Sequence, residues 1–356
     1  MGILRVLLAA AVVAFHSGTI FGFAWMSASA VPAFFIVSGF YMGLILDGRY
    51  PDAASFYKAR LLRLFPIYWA FILVIVAIAI APQLPGAFGG AMTYHARGLI
   101  SRATDGSLVS WLAAVPNLFM LGSEWLRQFA LDPSTGQVHL WVWPMVQGPT
   151  VVHLGSWLII EQNWSLSVEL VFYLFAPWLA RQRTAVLVVL FATAILGWHL
   201  VRHGLQFPHM LVFSNAWLFL LGMVAYRTLP YVERLRWSDK AALAAISFAV
   251  FFLWSRLIGT VSPVAVLLIF SLGLPALFAL SRDSAWDNWI GELSYPIYIV
   301  HFFLVPACST LGDTWRGFAC LVISAIVSVA LLYLVQFPVD RFRLRFARPA
   351  LVAAAA

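Results

Sequence analysis

Two ionisable residues, Arg5 and His16, lie in the first apolar stretch of the chain. If this stretch is helical, their spacing puts both side chains on one helix face, about 16 Å apart along the axis. Ionisable residues inside a membrane-buried helix are costly and are usually retained for function. A neutral buried histidine is suited to act as a general base or as a nucleophile. The alternative is an arginine at the membrane surface and a histidine bonded to a structural neighbour.

A second group of basic residues, Lys58, Arg60 and Arg63, comes shortly before Pro66. Arg60 and Arg63 share a helix face because they are three positions apart. A guanidinium offers paired donors to phosphate oxygens, so this group is suited to hold a phosphorylated ligand. The alternative is a positive charge cluster that orients the chain in the membrane and contacts anionic lipid headgroups.

Two further polar groups fall inside apolar stretches. Glu169 would lie about one and a half turns into a helix that begins near 164, where a carboxylate needs a partner or a proton. Tyr298 and His301 are three positions apart on one face of a later stretch, and Pro296 is expected to kink that helix and free a carbonyl. A structural histidine with a satisfied hydrogen bond is the alternative for His301.

Composition decides which class of protein carries these residues. Of the 356 residues, 63% are hydrophobic and 10% are charged, whereas soluble domains have about a quarter charged residues. A water-soluble fold could not cover so much apolar surface. The sequence therefore predicts an all-α polytopic membrane protein. The net charge of +8 does not indicate a nucleic-acid partner, because the basic residues form short clusters between apolar stretches.

Ten apolar stretches are long enough, at about 20 residues, to cross the hydrocarbon layer. They lie near 4–23, 28–46, 65–82, 164–180, 184–201, 208–226, 240–257, 261–281, 288–310 and 316–337. Ten spans with both termini in the cytoplasm place most lysine and arginine clusters inside, and an eleventh at 107–122 would break this bias. A single membrane-embedded domain, residues 1–356, then accounts for the chain.

This topology leaves one large outer segment, residues 83–163. Loops of this length are functional or disordered, and the aromatic content favours an ordered segment with interfacial or re-entrant pieces, including 107–122. Its tryptophans are Trp111, Trp125, Trp141, Trp143 and Trp157.

The first thirty residues also have features of a secretory signal, namely Arg5, an apolar run and the small residues ASA at 28–30. His16 inside the run argues against cleavage, and we predict that the segment is retained. Cys308 and Cys320 are the only cysteines. Neither belongs to a CxxC pair or a Cys/His cluster, so no metal site is predicted.

Taken in order along the chain, these motifs resemble the acyltransferase 3 family of membrane-bound O-acyltransferases. The resemblance is carried by Arg5 with His16, FFIVSGF at 34–40, Arg60 with Arg63, WSLSVE at 164–169, and LSYPIY at 293–298 with His301. One departure is FPVDR at 337–341, where the family tends to show Glu followed closely by Pro.

The resemblance implies an activity: transfer of an acyl group, usually acetyl, from cytoplasmic acetyl-CoA to a sugar hydroxyl. The acceptor would be a cell-surface or exported polysaccharide or its lipid-linked precursor, and the location a bacterial inner membrane. The implied partners are therefore acyl-CoA, a polysaccharide or lipid-linked oligosaccharide, and membrane lipids, with no metal.

The resemblance also suggests roles for the residues. Coenzyme A phosphates would bind Arg5, Lys58, Arg60 and Arg63, and His16 would be the general base or a transient acyl carrier. The acceptor would be oriented, or the developing charge stabilised, by Glu169 or by His301 with Tyr298.

Two other functions fit the same residues. A transporter or flippase for an anionic or lipid-linked glycan is the main alternative, because buried Arg, His and Glu also mark transport paths. No internal repeat, which would favour a transporter, is visible. A non-catalytic membrane scaffold for polysaccharide assembly is the third.

Overall fold

The computed structural model describes residues 1–18, 27–48, 50–140, 151–204, 212–257 and 262–346. Its first helices are α1 (Gly2–Ser17), α2 (Ser27–Leu46), α3 (Ala53–Ile80), α4 (Gly86–Ala103), α5 (Leu108–Phe119) and α6 (Ser123–Leu126). Three short strands follow, β1 (Phe129–Asp132), β2 (Gln137–Leu140) and β3 (Val152–His153).

The rest of the described chain is helical as well. Its helices are α7 (Trp164–Ala180), α8 (Thr184–Gly204), α9 (Val212–Arg227), α10 (Leu229–Glu233), α11 (Trp237–Leu257), α12 (Pro263–Ser281), α13 (Ala285–Glu292), α14 (Ser294–Cys308), α15 (Asp313–Leu331) and α16 (Phe337–Arg343). A π-helical turn, Leu332–Gln336, joins the last two.

Six helical stretches of the described residues are long and apolar enough to cross a membrane. They are Ser29–Leu46, Ala53–Ile80, Thr184–Val201, Pro263–Ser281, Ala285–Leu311 and Trp315–Arg343. Shorter apolar helices include α1, α5 and α9. Each of the ten predicted spans overlaps a helix within the described residues, and the all-α membrane class is supported. The number of ten spans and the cytoplasmic position of both termini stay predictions.

Helix α3 begins twelve residues before the predicted span, at Ala53 instead of 65. Asp52 caps it by accepting a hydrogen bond from the backbone N–H of Ser55, at 2.8 Å. The prediction of its start was wrong because hydropathy falls where charged residues begin, whereas the helix continues through them. Arg60 and Arg63 therefore lie inside a regular helix and share a face.

Helix α14 is separated from α13 by Leu293. Pro296 lies in the first turn of α14 and has no N–H to donate to the carbonyl of Glu292. The kink expected at Pro296 corresponds to this interruption between α13 and α14. It leaves α14 as the scaffold for Tyr298 and His301.

Helix α1 is held at both ends and packs against α2, α13, α14 and α15. At its start, Asp287 accepts hydrogen bonds from the backbone N–H groups of Gly2 at 2.7 Å and Ile3 at 2.9 Å. A carboxylate is favourable there because the helix dipole is positive. At its end, Arg316 donates to the carbonyl of Ser17. The positions of Arg5 and His16 are therefore fixed by contacts with later helices.

Helices α2 and α9 approach closely at two glycines. A Cβ added to Gly39 would lie 2.0 Å from the carbonyl oxygen of Phe219, and one added to Gly222 would lie 2.0 Å from that of Ile36. Small residues permit this kind of backbone contact in membranes, where packing replaces the hydrophobic effect. The pair forms the centre of the bundle.

The described part of the outer segment folds as a small layer of its own. Helices α5 and α6 pack beside an antiparallel sheet with strand order β2-β1-β3, whereas α4 packs against α3 and α14. Trp157 belongs to its core and donates a hydrogen bond from Nε1 to Asp105 at 2.9 Å. Hydrogen bonds from Ser107, with that from Trp157, lower the pKa of Asp105 to about 2. The predicted piece at 107–122 contains α5, while Trp141 and Trp143 lie outside the described residues.

One end of the bundle collects basic side chains, and we call it the basic end. Its members are tied together by direct contacts: Arg63 with Glu292, Arg282 with Glu233, and Arg227 with the carbonyls of Ala180 and Gln182. The outer segment lies at the opposite end of α3. This two-ended distribution is the one that the lysine and arginine bias predicts.

Candidate functional site

The structure brings His16 and His301 together. Nε2 of His301, on α14, lies 3.2 Å from Nδ1 of His16, in the last turn of α1. The rings are 5.2 Å apart, and Phe15 and Phe302 contact the His16 ring edge to face at 5.0 and 5.1 Å. His301 is fully buried, whereas His16 is half-buried. Sequence reasoning predicted both residues but not their contact.

Contacts with backbone carbonyls indicate which ring nitrogens of His16 and His301 carry protons. Nδ1 of His301 lies 2.8 Å from the carbonyl oxygen of Tyr298, so it carries a proton and its Nε2 is an acceptor. Nδ1 of His16 faces that acceptor and also the carbonyl of Val12 at 3.0 Å, so it carries a proton too. Nε2 of His16 is then left with a free lone pair. The arrangement leaves Nε2 of His16 able to accept a proton and places His301 where it can orient the His16 ring.

Tyr298 belongs to a hydrogen-bond network next to this pair. Its hydroxyl donates to the carbonyl of Gln162 at 3.1 Å and lies 2.7 Å from the hydroxyl of Ser165. The side-chain amide of Gln162 donates in turn to the carbonyls of Tyr298 at 3.1 Å and Ile299 at 2.7 Å. The network connects the turn before α7 to α14 and so fixes the position of His301 along the bundle axis.

A polar group that sequence reasoning missed lies on the outer-segment side of the histidines. Arg127 forms an ion pair with Glu161, with 3.7 Å between Nη1 and Oε2, and its Nε is buried without a hydrogen-bond partner. Its charge acts on both His16 and Tyr298. Burial raises the pKa of the Glu161 carboxyl, and the Arg127 charge opposes that rise. The ion pair therefore supplies charge next to the base.

Glu161 also lines a recess of about 10 Å³ together with His95, Gln162, Phe302 and Phe303. This space suits one water-sized group, such as a hydroxyl. Nε2 of His95 is buried and has no hydrogen-bond partner, and burial, with the charge of Arg102, lowers the pKa of that imidazole. Phe302 lines the recess and also contacts His16. The recess and the base are thus separated by one ring.

No spacing in the sequence marks Arg127, His95 or Glu161. They lie in the outer segment among turn residues and aromatic residues, on three different elements. The one available signal is their charge in a segment otherwise rich in aromatic residues. That signal does not specify which of the segment's ionisable residues face the histidines.

The predicted phosphate-binding residues gather at the basic end. Arg63 pairs with Glu292, on which the charges of Arg5 and Arg343 also act. The guanidinium of Arg5 lies 5.5 Å from the centre of the Tyr41 ring, and that of Arg60 lies 5.9 Å from the Phe56 ring. Nε of both Arg5 and Arg60 is buried without a hydrogen-bond partner. Two guanidiniums of this cluster thus keep unused donors.

The cluster differs from the predicted set in two members. Lys58 is exposed, and its ammonium faces the ring of Phe346 at 5.6 Å, on another face of α3. Arg343, which was not predicted, joins through its electrostatic interaction with Arg60 and Arg63 and pairs with Asp340 at 3.0 Å. Asp340 belongs to the stretch that departs from the family pattern.

Glu169 is placed between the two groups. It accepts hydrogen bonds from the hydroxyls of Ser38 and Tyr173, which provide the partners that its burial requires. Within the described residues it makes no hydrogen bond to His16 or His301. The structure therefore groups Glu169 with α2 and α7, and its predicted catalytic role stays a prediction.

The two groups lie at different depths of the bundle. Arg5 and His16 are on one face of α1, about 16 Å apart along its axis. Within the described part of the chain, no group of three His, Cys, Asp or Glu side chains could hold a metal ion. Cys308 and Cys320 are buried free thiols.

Comparison with known proteins matches this sequence to a described family and to a curated relative. The sequence model of a family described as an acyltransferase domain, acyltransferase 3, matches residues 1–335. The chain is 27% identical over 343 residues to the exopolysaccharide production protein ExoZ of Rhizobium meliloti (strain 1021), which covers 89% of this chain and 90% of that relative. No solved structure matches the chain.

Proposed function

Because this chain belongs to the acyltransferase 3 family, we propose that it transfers an acyl group, acetyl in the first instance, from acyl-CoA to a sugar hydroxyl. The acceptor is an exported or cell-surface polysaccharide or its lipid-linked precursor. The relative is an exopolysaccharide production protein, which supports a polysaccharide acceptor. The protein would work in a bacterial inner membrane with its basic end in the cytoplasm. The observation that carries the proposal is the His16–His301 pair.

His16 acts as the general base in this mechanism. Its Nε2 takes the proton from the acceptor hydroxyl as the oxygen attacks the thioester carbonyl. The tetrahedral intermediate then collapses, the C–S bond breaks, and the proton on His16 passes to the leaving coenzyme A thiolate. The hydrogen bond from Nδ1 to His301 keeps Nε2 unprotonated before the attack and supports the imidazolium during it. A transient acyl group on Nε2 is the other route open to the same nitrogen.

The donor would reach His16 from the basic end. The unused donors of Arg5 and Arg60 are available to diphosphate oxygens. The separation of about 16 Å between Arg5 and His16 is comparable with the length of an extended phosphopantetheine arm. A coenzyme anchored at the cluster can therefore present its thioester to the base.

The acceptor would approach from the outer-segment side. The recess beside Phe302 has room for a hydroxyl group of the acceptor other than the one that His16 deprotonates, because the Phe302 ring lies between the recess and His16. His95 and Glu161 offer that hydroxyl a donor and an acceptor. Arg127 is close enough to act electrostatically on His16 and Tyr298, so it can stabilise the negative oxygen that forms in the intermediate. This would leave donor and acceptor on opposite sides of one base.

The test is thiol release from acetyl-CoA by purified protein with a lipid-linked glycan fraction, wild type beside His16→Ala. We expect release by the wild type, loss of about 10²–10⁴-fold in the variant, and equal coenzyme binding by both. Binding without release in the wild type would remove His16 from the chemistry.

The same experiment separates the transporter alternative. If neither protein binds coenzyme or releases thiol, and proteoliposomes show proton-coupled uptake of the glycan, the acyltransferase proposal fails. Arg5→Ala is the companion variant, with weaker coenzyme binding expected and turnover at saturating donor retained.

A further inference from the structure

A second cavity, of about 430 Å³, opens at the basic end. It lies between the connection from α2 to α3 and the connection from α7 to α8. Its lining includes Tyr50, Gln182 and three arginines, Arg181, Arg183 and Arg227. Ligand cavities in proteins have volumes of about 300–1,000 Å³, so this space is large enough for a nucleotide rather than a single phosphate.

The arginines of this cavity differ in whether their side-chain donors already form hydrogen bonds within the protein. Arg227 donates from one Nη to the carbonyls of Ala180 and Gln182 and so ties α9 to the end of α7. Arg181 and Arg183 are exposed, and within the described residues their side chains make no hydrogen bond or ion pair. Two guanidiniums at the mouth of the cavity are therefore available to an anion.

Two carboxylates also line the cavity, but both are engaged by the protein. Asp47 accepts a hydrogen bond from the hydroxyl of Tyr226, and Asp52 accepts from the N–H and the hydroxyl of Ser55. Three positive and two negative side chains leave a net positive lining. The free donors belong to the arginines, so the cavity attracts a phosphate group.

The cavity is linked to the predicted coenzyme site through the ring of Phe56. The Tyr50 ring contacts the Phe56 ring at 5.9 Å, and the guanidinium of Arg60 lies 5.9 Å from the same Phe56 ring. Along α3, Arg60 is about 10 Å deeper in the bundle than Ala53, which lines the cavity. The cavity thus lies about one nucleoside away from the arginine cluster, on the side away from His16.

We propose that this cavity binds the 3′-phosphorylated adenosine end of coenzyme A, with Arg181 and Arg183 contacting the 3′-phosphate. The inference rests on the proposed function, because it assigns two parts of the acyl-CoA substrate to two subsites. The diphosphate would lie at Arg5 and Arg60, and the nucleoside would extend toward Tyr50. A 3′-phosphate monoester carries between one and two negative charges, and guanidiniums bind it with paired hydrogen bonds.

The test compares coenzyme A with 3′-dephospho-coenzyme A as ligands. Dissociation constants are measured by isothermal titration for wild type, for Arg181→Gln/Arg183→Gln, and for Arg234→Gln/Arg236→Gln. The last double variant is the matched control, because Arg234 and Arg236 are exposed on the same end but do not line the cavity. The protein is held in nanodiscs of neutral phosphatidylcholine, and unfolding temperatures verify that both variants are folded.

We expect the wild type to bind coenzyme A about tenfold or more tightly than the dephospho form, the effect of one charged hydrogen bond. In Arg181→Gln/Arg183→Gln this preference should fall to about one, with the affinity for the dephospho form unchanged. The control variant should keep both the wild-type preference and the wild-type turnover.

A preference that survives in Arg181→Gln/Arg183→Gln would overturn the assignment, as would a wild type without any preference. Nanodiscs containing anionic phosphatidylglycerol test the other source of phosphate. If that lipid abolishes the preference, a headgroup occupies the cavity and the inference is wrong. A wild type that binds neither coenzyme form refutes the proposed function itself.

Discussion

The two histidines have different environments and therefore different tasks. His301 is fully buried and has its Nδ1 bound to a backbone carbonyl, so its free nitrogen can only accept. His16 is half-buried and points its remaining nitrogen away from that contact. A base must reach its substrate, whereas an orienting group need not. The geometry thus supports the proposed division between His16 as the base and His301 as a positioning residue.

Removing the acceptor at 301 should lower turnover without weakening donor binding. We expect His301→Ala to reduce kcat by about tenfold or more, a part of the 10²–10⁴-fold that a general base contributes, with KM for acetyl-CoA unchanged. His301→Gln, whose side-chain oxygen can accept from Nδ1 of His16, should recover part of the loss. Thiol release over a range of donor concentrations measures both constants.

The comparison between His301→Ala and His301→Gln tests whether His301 acts by accepting a hydrogen bond from His16. If Ala and Gln lower kcat equally while both proteins unfold at the wild-type temperature, acceptance of the His16 proton is not the role of His301. A rise in KM for acetyl-CoA in both would instead place His301 in donor binding.

At this scale the sequence predicts single residues better than their partners. Arg5, His16, Glu169 and His301 stand out because ionisable groups are rare in apolar stretches. Arg60 and Arg63 stand out because they form a basic cluster next to such a stretch. The pairing of these residues depends on how helices pack, and the two histidines are 285 positions apart. Arg127 and Glu161 carry no such signal, because charges are ordinary in a segment outside the apolar stretches.

Among the helices, the contact between α2 and α9 is the one with least space. At Gly39 and Gly222 the backbones meet directly, so there is no side chain that can move aside. Gly43 repeats the arrangement one turn later against the ring of Tyr226. Glycines four positions apart allow helices to pack closely in a membrane.

A methyl group at this contact should force the two helices apart. We expect Gly222→Ala to destabilise the protein by about 1–3 kcal/mol, the usual cost of overpacking, because the new Cβ would meet the carbonyl of Ile36 at 2.0 Å. Gly197→Ala is the control, since that helical glycine on α8 has nothing within 4 Å. Thermal unfolding in detergent should show a lower midpoint for the first variant alone, and equal midpoints would contradict the close contact.

The sequence predicts secondary-structure elements where the composition of a stretch is uniform, and it misses elements or their ends where the composition changes. Apolar runs identify the long apolar helices but not α4, whose 18 residues lie in the outer segment. The start of the third span was placed at 65 because Lys58, Arg60 and Arg63 lower the hydropathy of the first turns of α3. The cap from Asp52 is the local signal for the true start. The strands β1 to β3 are too short and too exposed for an alternating pattern to identify them.

At the scale of the whole molecule, charge and chemistry are arranged along one axis. The basic end, the histidine pair and the outer segment follow each other from one end of the bundle to the other. The lysine and arginine bias predicted this order from composition alone. It could not predict that the outer segment contributes Arg127 and Glu161 to the site, because that requires the segment to fold back onto α14.

The arrangement predicts opposite accessibility for two exposed serines. Ser134 lies in the turn between β1 and β2, and Ser238 lies near the start of α11 at the basic end. With a membrane-impermeant maleimide, Ser134→Cys should be labelled in intact cells and Ser238→Cys only after lysis. The unsubstituted protein is the control, because Cys308 and Cys320 are buried. Labelling of both variants in intact cells, or of Ser238→Cys alone, would refute the topology.

The cap on α1 sets an order for biosynthesis. Asp287 accepts hydrogen bonds from the backbone N–H groups of Gly2 and Ile3. The ribosome adds these two residues 285 and 284 positions before it adds Asp287. At about 5–20 residues per second, the first helix waits for roughly a quarter of a minute to a minute before its cap exists. During that time its open N–H groups must be satisfied by water or lipid headgroups at the membrane surface. The contact between His16 and His301 is likewise formed only when translation has passed His301, so a nascent chain lacks this pair until synthesis is nearly complete.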